Sequence, residues 1–370
     1  MKKILAVFGT RPEAIKMSPL LYELKKRESL LKLSVCISGQ HKEMLEKVLP
    51  DLPVSPDYYM DIVREGDSLA SLNAEMMRKL DGVVDSAAPD FVMVHGDTAT
   101  AFCAALAAFY RRIPVMHVEA GLRTWDMLSP YPEEFNRRAV SLIADYHFAP
   151  TESARDNLLR EGVSPERVFV TGNTVIDALY RDIGSGYVSP ILERCSTDRI
   201  VLLTAHRRES IGKPILNVFR AVKELADRFE DVTVVCPLHK NPAVSIPARE
   251  ILGGRERVIL TDPLSPMDFH SLLSRCSLVM TDSGGVQEEA AALSKPVLVL
   301  RDKTERTEGV DSGALCLAGR EKEEILGHAV RILSDPETYA SMCAGDGIYG
   351  DGHASERIAD IICAILRDGA

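Results

Sequence analysis

Short apolar runs alternate with longer amphipathic segments along the chain. Runs rich in β-branched residues predict buried strands, and in the first half these are Ile4–Phe8, Leu33–Ser38, Phe91–His95, Val115–Val118 and Tyr146–Ala149. Segments with helical spacing lie between them, at Pro12–Arg27, Leu69–Val84 and Thr98–Arg111. Alternation of this kind predicts parallel sheets with helices on both faces.

The pattern restarts after residue 180, where the predicted strands are Ile200–Thr204, Val232–Cys236, Val258–Thr261, Leu278–Thr281 and Val297–Leu300. A segment rich in Gly, Ser and Pro precedes the restart, at Gly184–Pro190, and predicts a domain boundary. The chain has 370 residues, which at roughly 150 residues per domain also suggests two domains. We therefore predict an α/β fold of two doubly wound, Rossmann-like domains that face a ligand-binding cleft.

Charge and cysteine usage narrow the classes of function. The chain has 44 Lys and Arg against 54 Asp and Glu, a net charge of −10. An acidic surface argues against nucleic-acid or membrane binding, and no apolar run reaches the ~20 residues of a membrane-spanning helix. The eight cysteines are scattered without a Cys-x-x-Cys pair, which predicts reduced cysteines in a cytoplasmic protein.

The strongest nucleotide signal follows the predicted strand Leu278–Thr281. Ser283 is expected to cap the next helix, and Gly284 and Gly285 would let a phosphate approach backbone N–H groups at its positive end. Glu289, about one turn into that helix, could accept both hydroxyls of a ribose. The alternative is a plain capped helix, and the whole arrangement favours phosphate plus ribose.

A second turn joins a strand to a helix near the N-terminus, at Gly9–Lys16. Arg11, through its bidentate fork, and Lys16, as a point charge, could clamp a diphosphate. A helix start with solvated charges is an equal alternative for Lys16. The turn is neither Gly-x-Gly-x-x-Gly nor a Walker loop, which argues against a nicotinamide cofactor or ATP.

Three acidic residues are expected at the carboxyl edge of the first sheet. Asp97 and Glu119 each follow a predicted strand, and Glu133 begins a predicted helix. Clustered carboxylates push one another's pKa apart, which provides an acid and a base at neutral pH. The alternatives are an N-cap role for Asp97 and an i,i+4 ion pair between Glu133 and Arg137.

Two histidines follow strands of the second half. His206 would enter the cleft and bond a phosphate or a reacting group, and His239 lies beyond the next strand. His270, within a helical segment, is interpreted as structural. No set of His, Asp and Glu has convincing metal spacing, and we predict neither a metal nor a cofactor.

Seven motifs carry a resemblance to a known family. In chain order they are Phe8–Glu13, His95–Thr98, Val118–Arg123, Pro132–Arg137, Thr204–Glu209, Asp282–Glu289 and Arg301–Glu308. Together they resemble the non-hydrolysing UDP-N-acetylglucosamine 2-epimerases of bacteria. The resemblance implies a fold like that of the B-type glycosyltransferases, with the active site in the cleft. It also implies domains at 1–182 and 183–351, with a last helix at about 352–370 that packs back on the first.

By the same resemblance, the chain inverts C2 of UDP-GlcNAc to give UDP-ManNAc, and acts as a homodimer. The implied acid–base residues are Asp97, Glu119 and Glu133, with His206 as a further essential group. The implied contacts with UDP are Arg11, His239, Ser283, Gly284, Gly285 and Glu289, and Lys16 and Arg137 are further candidates for contact with the substrate. An allosteric site would involve Gln40, Glu43 and Arg207, with Glu43 standing where the family pattern has a second Gln.

The chemistry of the sugar favours elimination over oxidation. The C2 proton is not next to a carbonyl, so loss of UDP together with that proton, giving 2-acetamidoglucal, is the simpler route. Arg11, His206 and the Ser283–Gly285 turn would stabilise the charge on departing UDP. The alternatives are a retaining glycosyltransferase with a UDP-sugar donor, and a hydrolysing epimerase that releases ManNAc and UDP.

Overall fold

The structure, a computed structural model, describes residues 1–39, 55–62, 68–207, 210–344 and 347–368. Gln40 and Glu43 lie outside these residues. The chain divides into two compact units. Unit 1 comprises Met1–Ala178 and Gly350–Ala370, and unit 2 comprises Leu179–Tyr349. The division lies within a helix, Thr174–Gly184, and so does the boundary predicted between residues 182 and 183.

The sheet of unit 1 is parallel, with the strand order β3-β2-β1-β4-β5-β6-β7. Its strands are β1 Lys2–Phe8, β2 Leu31–Ile37, β3 Tyr58–Tyr59, β4 Phe91–His95, β5 Val115–Val118, β6 Tyr146–Ala149 and β7 Val168–Val170. All strands predicted for this half are present, with ends that differ by at most two residues. The prediction missed β3 and β7, which are short and lie at the two edges of the sheet.

The sheet of unit 2 is also parallel, with the order β10-β9-β8-β11-β12-β13. Its strands are β8 Arg199–Thr204, β9 Val232–Pro237, β10 Val258–Thr261, β11 Leu278–Thr281, β12 Val297–Val299 and β13 Leu315–Leu317. Only the edge strand β13 was not predicted. These strands are nearly continuous apolar runs, as expected for a parallel sheet that helices cover on both faces.

The described helices connect these strands. They are α1 Arg11–Lys25, α2 Leu69–Ala87, α3 Ala99–Tyr110, α4 Glu133–Ile143, α5 Glu152–Arg160, α6 Thr174–Gly184, α7 Lys213–Arg228, α8 Pro242–Leu252, α9 Pro266–Arg275, α10 Gly284–Ala292, α11 Thr307–Asp311, α12 Lys322–Ser334, α13 Pro336–Met342 and α14 Ala354–Asp368. None of the helices that the structure describes is long and apolar enough to cross a membrane.

The C-terminal helix α14 belongs to unit 1 and packs on one face of its sheet. Ile358 and Ile362 are completely buried in the apolar cluster that also contains Met17 and Leu21 of α1. The Asp177 carboxylate accepts hydrogen bonds from two backbone N–H groups at the start of α14, at 3.1 and 2.6 Å. A carboxylate at a helix N-terminus satisfies otherwise unpaired donors and the helix dipole, so α14 is held at its first turn and along its apolar face.

Both units have the doubly wound strand order, in which the chain leaves the centre of the sheet in two directions. The reversal lies between β1 and β4 in unit 1, and between β8 and β11 in unit 2. Ligands of such sheets bind outside the carboxyl ends of the strands at this switch point. Functional side chains are therefore expected in the loops after β1, β4, β8 and β11.

Candidate active site

One buried carboxylate links the loop after β1 to the loop after β4. Glu13 accepts hydrogen bonds from the backbone N–H groups of Gly9 at 3.1 Å and Thr10 at 2.7 Å. It also accepts one from the Thr98 hydroxyl at 2.8 Å. Burial raises the pKa of Glu13 to about 7 in spite of these donors. Glu13 thus fixes the backbone from which Arg11 begins α1.

Glu119 lies directly after β5 and is paired with Lys16. The ammonium of Lys16 donates to the Glu119 carboxylate, and Asn173 Nδ2 donates to the same oxygen at 2.9 Å. The Glu119 backbone has φ +62°, the left-handed region that non-glycine residues rarely adopt. Strain of this kind clusters at functional sites, so the backbone conformation supports a functional role for Glu119.

A neutral histidine lies beside this pair. The Nε2 atom of His95 is 3.9 Å from the Glu119 carboxylate. Burial lowers the pKa of His95 to about 4, which keeps the ring uncharged at neutral pH. His95 therefore adds a polar group, but no charge, to the surroundings of Glu119.

Asp97 follows β4 and is paired with Arg137 of α4. Arg137 also lies 3.4 Å from the Glu134 carboxylate, so it faces these two acids rather than forming the i,i+4 pair considered for Glu133. Thr98, not Asp97, is the N-cap of α3, since its side chain accepts from the third backbone N–H of the helix. The capping alternative for Asp97 is therefore wrong.

Glu133 and Glu134 are neighbours with different surroundings. Glu133 is half-buried at the first position of α4. Glu134 is completely buried and accepts hydrogen bonds from the backbone N–H groups of Thr124 at 3.1 Å and Trp125 at 3.2 Å. Glu134 therefore holds the preceding loop, and Glu133 is the carboxylate of the two that can reach a ligand.

In unit 2, Asp282 organises the loop after β8. Its Oδ2 atom accepts hydrogen bonds from the backbone N–H groups of His206 and Arg207 and from the Ser210 hydroxyl, each at 2.9 Å. The carboxylate is completely buried at the end of β11. Asp282 thus joins the two strands that flank the switch point and places His206 at the carboxyl edge of the sheet.

The rings of His206 and His239 are stacked, with centroids 5.4 Å apart and planes 7° from parallel. The Nδ1 atom of His239 accepts a hydrogen bond from the Asn241 backbone N–H at 3.1 Å. Burial, and then the neighbouring His206, lower the pKa of His239. A neutral ring whose Nδ1 accepts must carry its proton on Nε2, so His239 offers an Nε2–H donor.

The Ser283–Gly285 turn opens α10 after β11. Ser283 occupies the N-cap position but its side chain makes no capping hydrogen bond, so the predicted cap by its hydroxyl is wrong. A Cβ at Gly284 would lie 2.6 Å from Nη1 of Arg306, whose guanidinium is paired with Glu288 and Glu305. The turn therefore places a helix N-terminus, which favours an anion, against a guanidinium that two carboxylates already neutralise.

Arg207 connects the loop after β8 to this buried network. Its guanidinium lies 3.8 Å from the Glu305 carboxylate, and Glu305 also pairs with Arg301 at 3.0 Å. In the ranges that the structure describes, no three His, Cys, Asp or Glu side chains are grouped so as to hold a metal ion. The predicted site residues therefore form two groups, one in each unit.

Several of these groups were not predicted. Asn173 follows β7. Because β7 was not predicted, residues beyond its end were not considered as functional side chains. Asp282 and Arg306 lie in motifs that were quoted for the resemblance, but isolated acids and bases in a sequence do not reveal which partner they bind. Glu133 and Glu134 are adjacent and chemically identical. Which of them is buried depends on which face of α4 packs inward, and the sequence did not show this.

Taken together, two doubly wound sheets, an anion-binding turn and paired acidic and basic side chains define an α/β enzyme that acts on a nucleotide-linked substrate. Residues 23–363 match the family model described as UDP-N-acetylglucosamine 2-epimerase. The chain belongs to this family of isomerases, which confirms the predicted family and fold class.

Relatives with this description cover nearly the whole chain. A UDP-N-acetylglucosamine 2-epimerase of Bacillus subtilis is 49% identical over 97% of this chain and 94% of its own length. The UDP-GlcNAc 2-epimerase of Neisseria meningitidis, solved bound to UDP-GlcNAc, is 42% identical, with a TM-score of 0.92 over 98% of this chain and 100% of that one. A Staphylococcus aureus MnaA–UDP structure is 44% identical, with a TM-score of 0.92 over 99% of this chain and 97% of that one. These matches support the epimerase prediction and neither the glycosyltransferase nor the hydrolysing alternative.

Proposed function

We propose that this chain interconverts UDP-GlcNAc and UDP-ManNAc by elimination and re-addition of UDP. Family membership supports the substrate and the position of the inverted carbon. The observation that carries the chemical route is the buried Lys16–Glu119 pair at the end of β5, beside neutral His95. This pair provides an acid–base group at the end of a strand. The sequence shows neither a nicotinamide-binding fingerprint nor convincing metal-ligand spacing, so proton transfer is the simpler route.

Unit 2 supplies the groups for the nucleotide. The backbone N–H groups of the Ser283–Gly285 turn bind the diphosphate at the N-terminus of α10. The guanidinium of Arg306, held by Glu288 and Glu305, supports that turn from behind, and His239 donates its Nε2–H to a phosphate oxygen. Glu289, nearly buried in the second turn of α10, accepts hydrogen bonds from the ribose hydroxyls.

Unit 1 supplies the groups for proton transfer. A carboxylate removes the C2 proton, the C1–O bond breaks, and its electron pair leaves with UDP, so that a C1=C2 double bond forms. Return of a proton to the other face of C2, with UDP adding at C1, completes the inversion. We assign Glu119 and Glu133 to opposite faces of C2, with Asp97 relaying or tuning. Arg11, Lys16 and Arg137 offset the negative charge, and His206 stabilises departing UDP.

Three further assignments are proposed with this function. Arg207 acts in an allosteric response together with Gln40 and Glu43, supported by its contact with Glu305.

The chain is cytoplasmic and forms a homodimer. The dimer is supported by apolar side chains that unit 1 exposes, Phe109, Tyr110 and Leu142. Light scattering of the full chain tests the dimer, and a change from sigmoidal to hyperbolic substrate dependence in Arg207→Gln tests the allosteric role.

The test of the reaction is isotopic. UDP-GlcNAc is incubated with the protein in heavy water, and C2 is followed by NMR. We expect deuterium at C2 in both epimers, with the UDP linkage retained in the products. Quantitative release of free ManNAc would show hydrolysis instead, and inversion without deuterium at C2 would rule out proton removal.

A further inference from the structure

A buried histidine of α9 bridges two carboxylates of unit 2 that lie on different helices. Nδ1 of His270 lies 2.9 Å from Oδ2 of Asp182, which belongs to α6. Nε2 lies 3.5 Å from Oε1 of Glu289, which belongs to α10. His270 is 3% exposed, and the two acids are 8% exposed each. The ring therefore joins the proposed ribose acceptor to a second helix.

The Nδ1 contact is a hydrogen bond, and the Nε2 contact is an ion-pair contact at the outer limit of hydrogen-bonding distance. Both favour a ring that carries protons on both nitrogens, because carboxylates only accept hydrogen bonds. Burial alone would lower the pKa of His270, but the bonds to Asp182 and Glu289 outweigh it and raise the pKa to about 9. Asp182 keeps its charge, since the effect of burial on its pKa is offset by His270 and by Arg181, whose guanidinium lies 3.1 Å away. At neutral pH the ring is thus an imidazolium between two carboxylates.

A carboxylate on a flexible side chain must lose rotational freedom before it can accept two ribose hydroxyls. A fixed donor to one of its oxygens removes that cost before the ligand arrives, and leaves the other lone pairs for the ligand. Glu289 satisfies this condition through His270.

We propose that His270 is a positioning residue that orients the Glu289 carboxylate toward the ribose, and that this pair sets the preference for a ribonucleotide over a 2′-deoxyribonucleotide. The proposal rests on the ribose role given to Glu289 under the proposed function. It assigns a specific task to a histidine that the sequence alone indicated to be structural.

The experiment compares the affinities for UDP and 2′-deoxy-UDP by calorimetry in the full-length protein. Glutamine at position 270 is neutral, and both of its N–H donors are on one nitrogen, so it cannot span the two acids from opposite sides as the ring does. In His270→Gln we expect the affinity for UDP to fall about tenfold, roughly the effect of one lost hydrogen bond. The affinity for 2′-deoxy-UDP, which keeps only the 3′-hydroxyl for Glu289, should fall less. The KM for UDP-GlcNAc should rise more than kcat falls, because the ribose is remote from C2.

Matched variants separate the possible causes. His328→Gln, a half-buried histidine of α12 in the same unit, should leave the preference unchanged. Asp182→Asn keeps the ring but weakens its fixed orientation, and should reduce the preference less than His270→Gln does. If His270→Gln fails to fold, Asp182→Asn decides the question in its place.

The outcomes are distinct. If His270→Gln loses the same affinity for both nucleotides, the role of His270 is merely structural and the inference is overturned. The same result in Asp182→Asn has the same meaning if His270→Gln does not fold. If Glu289→Gln leaves the preference for UDP over 2′-deoxy-UDP intact, the ribose role given to Glu289 in the proposed function is refuted. If Glu289→Gln abolishes the preference and His270→Gln does not, only the positioning role is refuted.

Discussion

The two switch points share a strand order but differ in how they present charge. In unit 1, long side chains form ion pairs beyond the strand ends, Lys16 with Glu119 and Arg137 with Asp97. In unit 2, a glycine turn at the N-terminus of α10 exposes backbone N–H groups instead. A buried carboxylate that holds loop N–H groups is common to both units, Glu13 in unit 1 and Asp282 in unit 2. Titratable side chains suit proton transfer, while fixed backbone dipoles suit binding of a diphosphate.

The comparison shows that a Rossmann-like strand order determines where a site lies but not what it does. Both loops follow the same kind of buried parallel strand. What differs is the group placed just beyond the strand end, a carboxylate such as Glu119 in unit 1 and a Ser-Gly-Gly turn in unit 2. Catalysis and nucleotide binding should therefore be separable by substitution.

The largest expected effect is the loss of turnover in Glu119→Gln. A positioned acid or base typically contributes ~10²–10⁴-fold, so we expect kcat and the exchange of the C2 proton to fall by about that factor. The affinity for UDP should stay within about twofold, because most of the groups proposed to bind UDP belong to unit 2. Rate assays and calorimetry measure the two quantities.

The control is Glu23→Gln, which removes a carboxylate paired with Lys26 and Arg27 near the end of α1. It should leave both quantities unchanged. Loss of UDP affinity in Glu119→Gln comparable to its loss of turnover would show that catalysis and binding are not divided between the units. Full turnover would remove Glu119 from the chemistry.

The neighbours Glu133 and Glu134 provide a second test within unit 1. We expect Glu133→Gln to lower kcat by about 10²-fold with an unchanged melting temperature, because its carboxylate has no structural task that we identify. Glu134→Gln should instead cost about 1–3 kcal/mol of stability, since a buried acceptor of two backbone N–H groups is weakened. Thermal unfolding and initial rates distinguish them, and the reverse pattern would contradict the assignment.

Much of this arrangement follows from local sequence, and the remainder depends on long-range packing. Most buried strands were predictable because each is a short apolar run. The turn at Ser283–Gly285 was predictable because the strand, the turn and the helix are contiguous in the sequence. Asn173 and Glu119 are 54 positions apart, and His270 is 88 positions from Asp182. Pairings over such separations depend on how the helices pack on the sheet, which periodicity does not specify.

The glycine turn gives a matched pair of substitutions in unit 2. In Gly284→Ala the new Cβ would meet the Arg306 guanidinium, which cannot move away without breaking its ion pairs with Glu288 and Glu305. We expect a cost of about 1–3 kcal/mol. No atom outside the helix lies within 4 Å of a Cβ at Gly285, so Gly285→Ala should be neutral or slightly stabilising in the ligand-free protein.

Differential scanning calorimetry without nucleotide measures both variants. Equal melting temperatures would mean that Arg306 yields at little cost and that the turn does not need a glycine at position 284 for its own packing. Binding of UDP is measured separately, since a phosphate close to the turn could make either Cβ unfavourable.

The smallest expected effect is an opposite pH response of the two units. Burial lowers the pKa values of His95, His117 and His147 in unit 1 to about 4, 3 and 4. Their contribution to stability is present above about pH 6.5 and is lost as the pH falls toward 4. Glu13 acts in the opposite direction, because its pKa is raised to about 7, but the histidines outnumber it.

In unit 2 the sign is reversed. The pKa of His270 is raised to about 9, so its contribution is complete below about pH 6.5 and is lost as the pH rises through 9. Hydrogen exchange, corrected for intrinsic rates, should show a loss of protection in unit 1 between pH 7 and 5, and in unit 2 between pH 7 and 9. His270→Gln should flatten the alkaline response only. A common pH dependence in both units would mean that titration of these histidines does not govern local stability.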